Sequence, residues 1–339
     1  MPSPEDGSRA RPDGRVRRWL APIVALLGCL FLAACAPPPP PPLVLGLNPW
    51  VGYDPFIVAR EGGMVERQRV KVVELTSNAE VVRHFRNGLL DGAAMTLDQA
   101  IQLADEGHRP RIVAVLDMSD GADVVLASPR VSLPMLRGQT ILAEPSTVSA
   151  LMLRGLLEAA GLERGDVTVL PLEATHHLPA LRSGRALAAV SYEPLATRLR
   201  KEGFVTVYDS RRLPGQIMDV LVVREQHLTQ RGADVDAMLL AWSAGLARLL
   251  SEPVSAAGWL APSLDMSPQE YLDTLAGLRF MTPADSLAHL SGATAPIHRE
   301  GRQLMELMRQ EGLIRNEMVI ADIVDPRPAA RTLQAADAR

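Results

Sequence analysis

FRNGLLDGAAMTLDQA, Phe85 to Ala100, lies without gaps on LRSGRALAAVSYEPLA, Leu181 to Ala196, at a constant offset of 96 residues. Gly88 falls on Gly184, Arg86 on Arg182, Ala93 on Ala189 and Ala100 on Ala196. Each copy reads as a helix end, a glycine turn, a short apolar strand and a polar loop that opens another helix. All α/β proteins share this grammar, so four identities in sixteen positions do not prove a duplication. The organisation stands either way: each half of the chain holds a strand, a capped helix, a second strand and this unit.

Outward from the repeat, β-rich runs recur: LVLGL from Leu43, VKVVELT from Val70, RIVAVLD from Arg111, DVVLAS from Asp123, QTILAE from Gln139, DVTVLPL from Asp166, LAAVSY from Leu187, FVTVYDS from Phe204 and IMDVLVV from Ile217. Helical stretches separate most of them, which predicts an α/β body with a mainly parallel sheet flanked by helices in each half. Ser146 or Thr147 caps one such helix and Gly161 stops it. The rhythm breaks at DMSDGAD, Asp117 to Asp123, and at DSRRLPGQIMD, Asp209 to Asp219, which read as the outward and return crossings between two lobes. The expected division is 43–119 with 215–325 as lobe 1, 120–214 as lobe 2, and 326–339 as a disordered tail. From about Thr229 to Gly312 the pattern is mainly helical and would cover lobe 1, with Pro253, Pro262, Pro268 and Pro283 at helix starts.

Ahead of the lobes, five arginines (Arg9, Arg11, Arg15, Arg17, Arg18) precede an apolar run from Trp19 to Phe31. This is the pattern of a secretory signal, and it falls short of the ~20 apolar residues of a comfortable membrane span. The run ends at Leu32-Ala33-Ala34-Cys35, which resembles the lipobox of bacterial lipoproteins. That resemblance implies removal of residues 1–34, lipidation of Cys35, and a protein held in the cell envelope on a membrane that faces the periplasm or exterior. Pro37 to Pro42 then form a stiff polyproline II spacer. Cys29 leaves with the leader, so the remaining chain has no partner for a disulfide and no thiol-rich metal site. Residues 1–34 take 5 of the 35 basic and 3 of the 39 acidic residues, and the rest carries 30 − 36 = −6. A modestly acidic body is a poor partner for nucleic acid.

Four stretches in this order, PWVGYDPFIVAREGGMVE (Pro49–Glu66), NGLLDGAAMT (Asn87–Thr96), RGQTILAEPSTVSALMLRGLLEAAGLERGDVTVLPL (Arg137–Leu172) and LRSGRALAAVSYEP (Leu181–Pro194), carry a resemblance. The chain resembles the substrate-binding proteins of the nitrate, sulfonate, taurine and thiamine-precursor group of ABC importers over roughly Leu43 to Asp325. The resemblance implies a two-lobed type II periplasmic binding protein fold, a monomer that binds a small molecule, and an ABC permease and ATPase as partners. It departs from the family's Gly-x-x-Asp-Ala at the second copy, where Leu187 replaces the acid. The same fold serves pyrimidine synthases, small lyases and sensory receptors that present a loaded lobe to a membrane kinase. The synthases need a cysteine-rich iron motif that this chain lacks. His176-His177 is the one adjacent histidine pair, and sequence neighbours rarely ligate one ion. No metal, cofactor or catalytic role is therefore expected.

Ligands of open α/β sheets sit beyond the carboxyl ends of the strands. That rule nominates Asn48, Trp50, Gly52 and Tyr53, then Thr96 and Asp98, and Ser119 and Asp120 at the outward crossing. From the second half it nominates Ser146, Thr147, Tyr192 and Glu193, with Asp219 from the return crossing. The aromatic pair reads equally as packing, Ser146 and Thr147 as a cap, and Glu193 as a helix start. The nominated loops carry Asp98, Asp120, Asp123, Asp219 and Glu193 against only Arg211 and Arg212. An acidic cleft with aromatic rings favours a cationic or amino-bearing planar ligand, such as a thiamine-precursor-like aminopyrimidine or another amine, over taurine or nitrate.

Overall fold

The return strand decides how each sheet is built, because a segment that comes back from the opposite lobe enters from the cleft end. In the computed structural model, which describes residues 39–337, eleven strands form two sheets. The expected leader (1–34), Cys35 and residues 36–38 lie outside the described residues. The chain from Pro42 onward forms one compact unit.

The first sheet contains β1 (Leu43–Leu47), β2 (Val70–Glu74), β3 (Gly92–Thr96), β4 (Pro110–Ser119), β10 (Met218–Arg224) and β11 (Leu278–Phe280), in the order β11-β4-β10-β3-β1-β2. The second contains β5 (Asp123–Ala127), β6 (Thr140–Ala143), β7 (Thr168–Pro171), β8 (Ala188–Tyr192) and β9 (Val205–Asp209), in the order β7-β6-β8-β5-β9. β1 is parallel to β2 and β3, and β6 is parallel to β7 and β8. β10 runs against both β3 and β4, and β5 against both β8 and β9. The sheets are thus mixed where mainly parallel ones were expected. One strand inserted through each crossing turns two parallel contacts into antiparallel ones, and β11 adds another pair on β4.

The sequence repeat has a structural counterpart. β3 and β8 hold equivalent places in their sheets, and the offset of 96 maps Gly92–Thr96 onto Ala188–Tyr192. Each is preceded by a glycine in the left-handed region, Gly88 at φ +75 and Gly184 at φ +71, where a side chain would be strained. Beyond each strand a helix starts at the cleft: Leu97–Asp105 after β3 and Leu195–Lys201 after β8.

The expected helical region holds helices Gly232–Ser251, Pro253–Leu260, Pro268–Leu275, Pro283–Leu290 and Pro296–Gln310, interrupted by β11. Residues 326–339, expected as a disordered tail, instead include the helix Arg327–Asp337. Ala329 and Thr332 are buried, and the Arg331 guanidinium grips Asp236 through two bonds of 2.7 and 2.9 Å. An apolar face and a bidentate ion pair hold this segment on the helix Gly232–Ser251.

That long helix also packs on Asp54–Glu61, the helix that follows β1, with the Phe56 and Trp242 rings 5.2 Å apart. Gly245 makes the approach feasible, since a Cβ there would lie 1.8 Å from the Pro55 carbonyl oxygen. Backbone cannot yield as a side-chain end can. Gly245→Ala is expected to lose ~1–3 kcal/mol through overpacking, read as a fall in the thermal midpoint. An unchanged midpoint would show that the two helices can separate without loss.

Candidate functional site

Asp117 on β4 and Asp219 on β10 face each other directly across an antiparallel pair, and both are buried, at 0% and 1% exposure. Two carboxylates so placed cannot both ionise cheaply. Burial, with the Asp117 charge added, pushes Asp219 well above the usual carboxylate range, and burial pushes Asp117 up to about 7. Keeping one proton between the two carboxyls relieves that repulsion, and Asp117 Oδ2 has no other hydrogen-bond partner. The loop after β1 brings two further donors: Trp50 Nε1 gives its hydrogen to Asp117 Oδ1 at 3.3 Å, and the Tyr53 hydroxyl donates to Asp219. Gly52 lets that loop close, because a Cβ there would stand 2.2 Å from Trp50 Nε1 and 2.4 Å from Asp117 Oδ2.

This cluster forms part of one wall of a cavity between the lobes. From the first lobe the lining includes Asn48, Trp50, Tyr53, Asn78, Thr96 and Asp219. From the second it includes Asp123, Glu144, Ser146, Ser149, Ser191 and Tyr192. The space measures about 40 Å³ for the centre of a water-sized sphere, and among the described residues no Lys, Arg or His lines it. Trp50 and Tyr192 meet edge to face across the gap, with ring centroids 6.1 Å apart.

The second lobe mirrors the first. Asp123 pairs in register with Tyr192 at the end of β8, as Asp219 pairs with Thr96 at the end of β3. Burial, with the Asp98 charge added, raises Asp123 to about 7 against the pull of the Ser119 hydroxyl. Burial also raises Glu144, although the Ala174 N–H donates to its Oε1 at 2.8 Å. Burial raises the Tyr192 hydroxyl, and the Glu144 carboxyl beside it adds to that shift.

The nominated residues separate into groups. Asn48, Trp50, Tyr53, Thr96, Ser146, Tyr192 and Asp219 all line the cavity. Gly52 supports it from behind. Asp98 is buried and raised by that burial, and its carboxyl is met by the hydroxyl of Thr147 from the other lobe. Ser119 binds Ser210 Oγ at 2.8 Å and receives the Asp123 N–H at 3.0 Å, so it ties the two crossings together outside the lining. Asp120 is exposed. Glu193 accepts from Thr197 N and Oγ1 at 3.1 and 2.8 Å and pairs with Arg200, which turns it away from the cavity. Arg211 is paired with Asp209, and Arg212 lies over the Tyr208 ring.

Five polar lining residues were not nominated from sequence: Asn78, Asp123, Glu144, Ser149 and Ser191, although Asp123 was counted among the acids of the crossing, and Asp117 behind them was missed too. Asn78 and Ser149 sit in first helical turns, and Ser191 one residue before the nominated Tyr192. Asp117 was read as part of a crossing, but it lies inside β4. His177 is a core residue, its Nε2 3.0 Å from the Leu172 carbonyl and its pKa pushed down to about 4 by burial. Among the described residues no group of three His, Cys, Asp or Glu side chains is placed to hold a metal.

Comparison with known proteins adds the lineage. The model of the NMT1-like family matches residues 36–254. No curated protein matches in sequence. The periplasmic aliphatic sulphonate binding protein SsuA of Escherichia coli is similar in structure, with a TM-score of 0.71 at 16% identity, over 84% of this chain and 92% of that one. A zinc-bound ligand-binding component of an ABC-type import system from Staphylococcus aureus gives 0.73 at 14% identity, over 86% and 99%. The desulfurization enzyme DSZB gives 0.63 at 15% identity, over 87% and 99%. These likenesses are of fold: the two-lobed architecture of periplasmic binding proteins, on which an enzyme has also been built.

The buried acids carry a pH signature. Asp123, at about 7 against an ordinary 3.8, keeps its proton in the folded protein where the unfolded chain has released it. Its contribution is complete below about pH 4 and is lost as pH rises through 7; ionising it in place costs on the order of 4 kcal/mol. Asp123→Asn is therefore expected to unfold several degrees higher than the parent at pH 8, with the gap closing toward pH 5. Thermal unfolding across that range checks this, and a variant less stable at both ends would contradict it.

Proposed function

We propose the following role for this chain, which belongs to the NMT1-like family. It is an extracytoplasmic solute-binding lipoprotein that closes two lobes on a small amino-bearing ligand and delivers it to an ABC permease and ATPase. The carrying observation is the cavity itself. Both lobes wall it, carboxyl groups approach from each side, and no basic side chain lines it. A ligand held from two lobes shifts the open-closed balance only through its preference for the closed form.

The charge argues for the ligand's sign. A nitrate or sulfonate in this space would lie beside Asp219, Asp123 and Glu144 with no cation to replace its hydration, and an uncompensated buried charge is costly. An aminopyrimidine or another amine fits instead, with N–H groups toward the acids and its face near Trp50 and Tyr192. The fold shared with a sulphonate-binding protein does not transfer its ligand, because the ligand is set by side chains in the cleft.

Binding without catalysis is the favoured role. No histidine or lysine lines the cavity to activate a hydroxyl, Ser146 Oγ is engaged as a helix cap, and Asp117 and Asp219 each accept a hydrogen bond, from Trp50 and Tyr53. Those contacts fix geometry, and no hydrogen bond joins Asp123 Oδ2 to the Ser191 hydroxyl as a base would be joined to its nucleophile.

Lipidation at Cys35, with Pro37–Pro42 as a spacer, would hold the body near its permease as a monomer. Two measurements bear on this reading. Small-angle scattering should give a smaller radius of gyration with bound ligand than without, and an unchanged radius at saturation would remove the closure step. Cys35→Ser should leave the protein unprocessed or released from membranes; a processed, membrane-bound Ser variant would remove the anchor.

A further inference from the structure

The cavity's hydrogen-bonding inventory is one-sided. Its best donors face inward: the Trp50 N–H on Asp117, the Tyr53 hydroxyl on Asp219, and the Tyr192 hydroxyl beside the Glu144 carboxyl. What remains unpartnered is the Asp123 Oδ2, the Asn48 Oδ1 and the Asn78 Oδ1, with the Thr96 and Ser191 hydroxyls free to take either role. Asp123 is 5%, Asn48 8% and Ser191 1% exposed, so water cannot cheaply satisfy them. A buried acceptor left without a donor costs ~1–3 kcal/mol. Three such oxygens and two hydroxyls around one small space mark a place where hydrogen-bond donors belong.

The acceptors also come from both sides, Asn48 and Asn78 from the first lobe and Asp123 and Ser191 from the second. A ligand that satisfies them must present N–H groups on opposite edges. A single ammonium offers three donors at one point. An aminopyrimidine presents ring nitrogens that themselves need donors, and the Trp50, Tyr53 and Tyr192 donors are already committed. Size narrows the choice further. The present space holds on the order of three waters, close to a planar group of four or so heavy atoms.

We infer that the cleft selects a compact planar cation of the amidinium or guanidinium type, with its N–H edges bridging Asn48 on one lobe and Asp123 on the other. This deepens the proposed function and rests on its reading of the cleft as the ligand site. The ring edges of Trp50 and Tyr192 bound the plane. The cation also supplies the positive charge that the acids of the two lobes lack, so closing the lobes over it relieves the repulsion that closing them empty incurs. Asp123 ionises near neutrality, and the site therefore takes up the cation more readily as pH rises through 7.

The test is calorimetry and thermal shift on the purified chain with millimolar guanidinium chloride and acetamidinium chloride, against equal sodium chloride. The comparison arms are 4-amino-2-methylpyrimidine, taurine and nitrate. The expected result is one-to-one binding of at least one of the two cations, stronger at pH 8 than at pH 6. Asp123→Asn should weaken it on the order of tenfold or more. Glu144→Gln provides a second acid-to-amide change should the first disturb folding, and it should weaken the cation without creating affinity for taurine. Binding of pyrimidine, taurine or nitrate in preference to both cations overturns the inference and leaves the solute-binding role standing. Cation binding that ignores both substitutions and pH also overturns it. Silence of every compound, with no change in radius of gyration, counts against both.

Discussion

Two aspartates facing each other across β4 and β10 set the terms for the rest of the cleft. Like charges directly opposite on neighbouring strands destabilise a sheet, and burial removes the water that would screen them. The fold can hold Asp117 and Asp219 there only by keeping a proton between them and aiming donors at their outer oxygens. Trp50 and Tyr53 supply those donors from the loop after β1, and Gly52 leaves room for the loop to come down. The aromatic side chains are therefore fixed by the acids as much as by packing, and their positions define one wall of the cavity.

The second lobe supplies an acid by the same topological route. Each crossing delivers a strand that runs backward into the other sheet, with an aspartate at or next to its first residue, opposite the last residue of β3 or β8. Carboxyls thereby gather at the ends of both sheets where the lobes meet. Contacts across the gap hold the described form together: Trp50 on Tyr192, Thr147 on Asp98, and on one flank Lys201, which bonds the Asp265 carbonyl at 2.9 Å and pairs with Glu270 at 3.0 Å. The flank contacts are exposed and individually weak, which suits a joint that has to open.

Sequence reading reached the strands through alternation and apolar runs, and reached β3 and β8 through the repeat, because these are local patterns with a fixed period. It placed much of the cleft because residues at the carboxyl ends of strands face it: Asn48, Trp50, Tyr53, Thr96 and Tyr192 follow from that rule, and Asp219 from its place at the return crossing. It could not find Asp117, since an acid within a strand carries no local mark of facing another acid a hundred residues away. Nor could it tell that Glu193 would turn toward Arg200 and Thr197, because both outcomes place the residue at the same point of the backbone. Glu144 and Asn78 were lost for a related reason: each is one polar residue among several between a strand and the first turn of the next helix, and only the folded geometry chooses between them. The tail helix was misread because its burial depends on Asp236 and the long helix beneath it, both remote in sequence.

The same acids connect stability with function. In the empty protein every carboxyl brought to neutrality in the cleft must either keep its proton or repel its neighbours, so the closed arrangement grows less favourable as pH rises toward neutral. A cation reverses the sign of that term, because it converts repulsion among Asp219, Asp123 and Glu144 into attraction toward one centre. Replacing these residues with amides would make the empty protein easier to keep folded and the ligand harder to hold, a trade in which the strain of the site is the source of its selectivity. An acid pair without that use would cost stability at every pH above its first ionisation and return nothing. Their place at the inner ends of both sheets is what the positive charge of the proposed ligand would put to use.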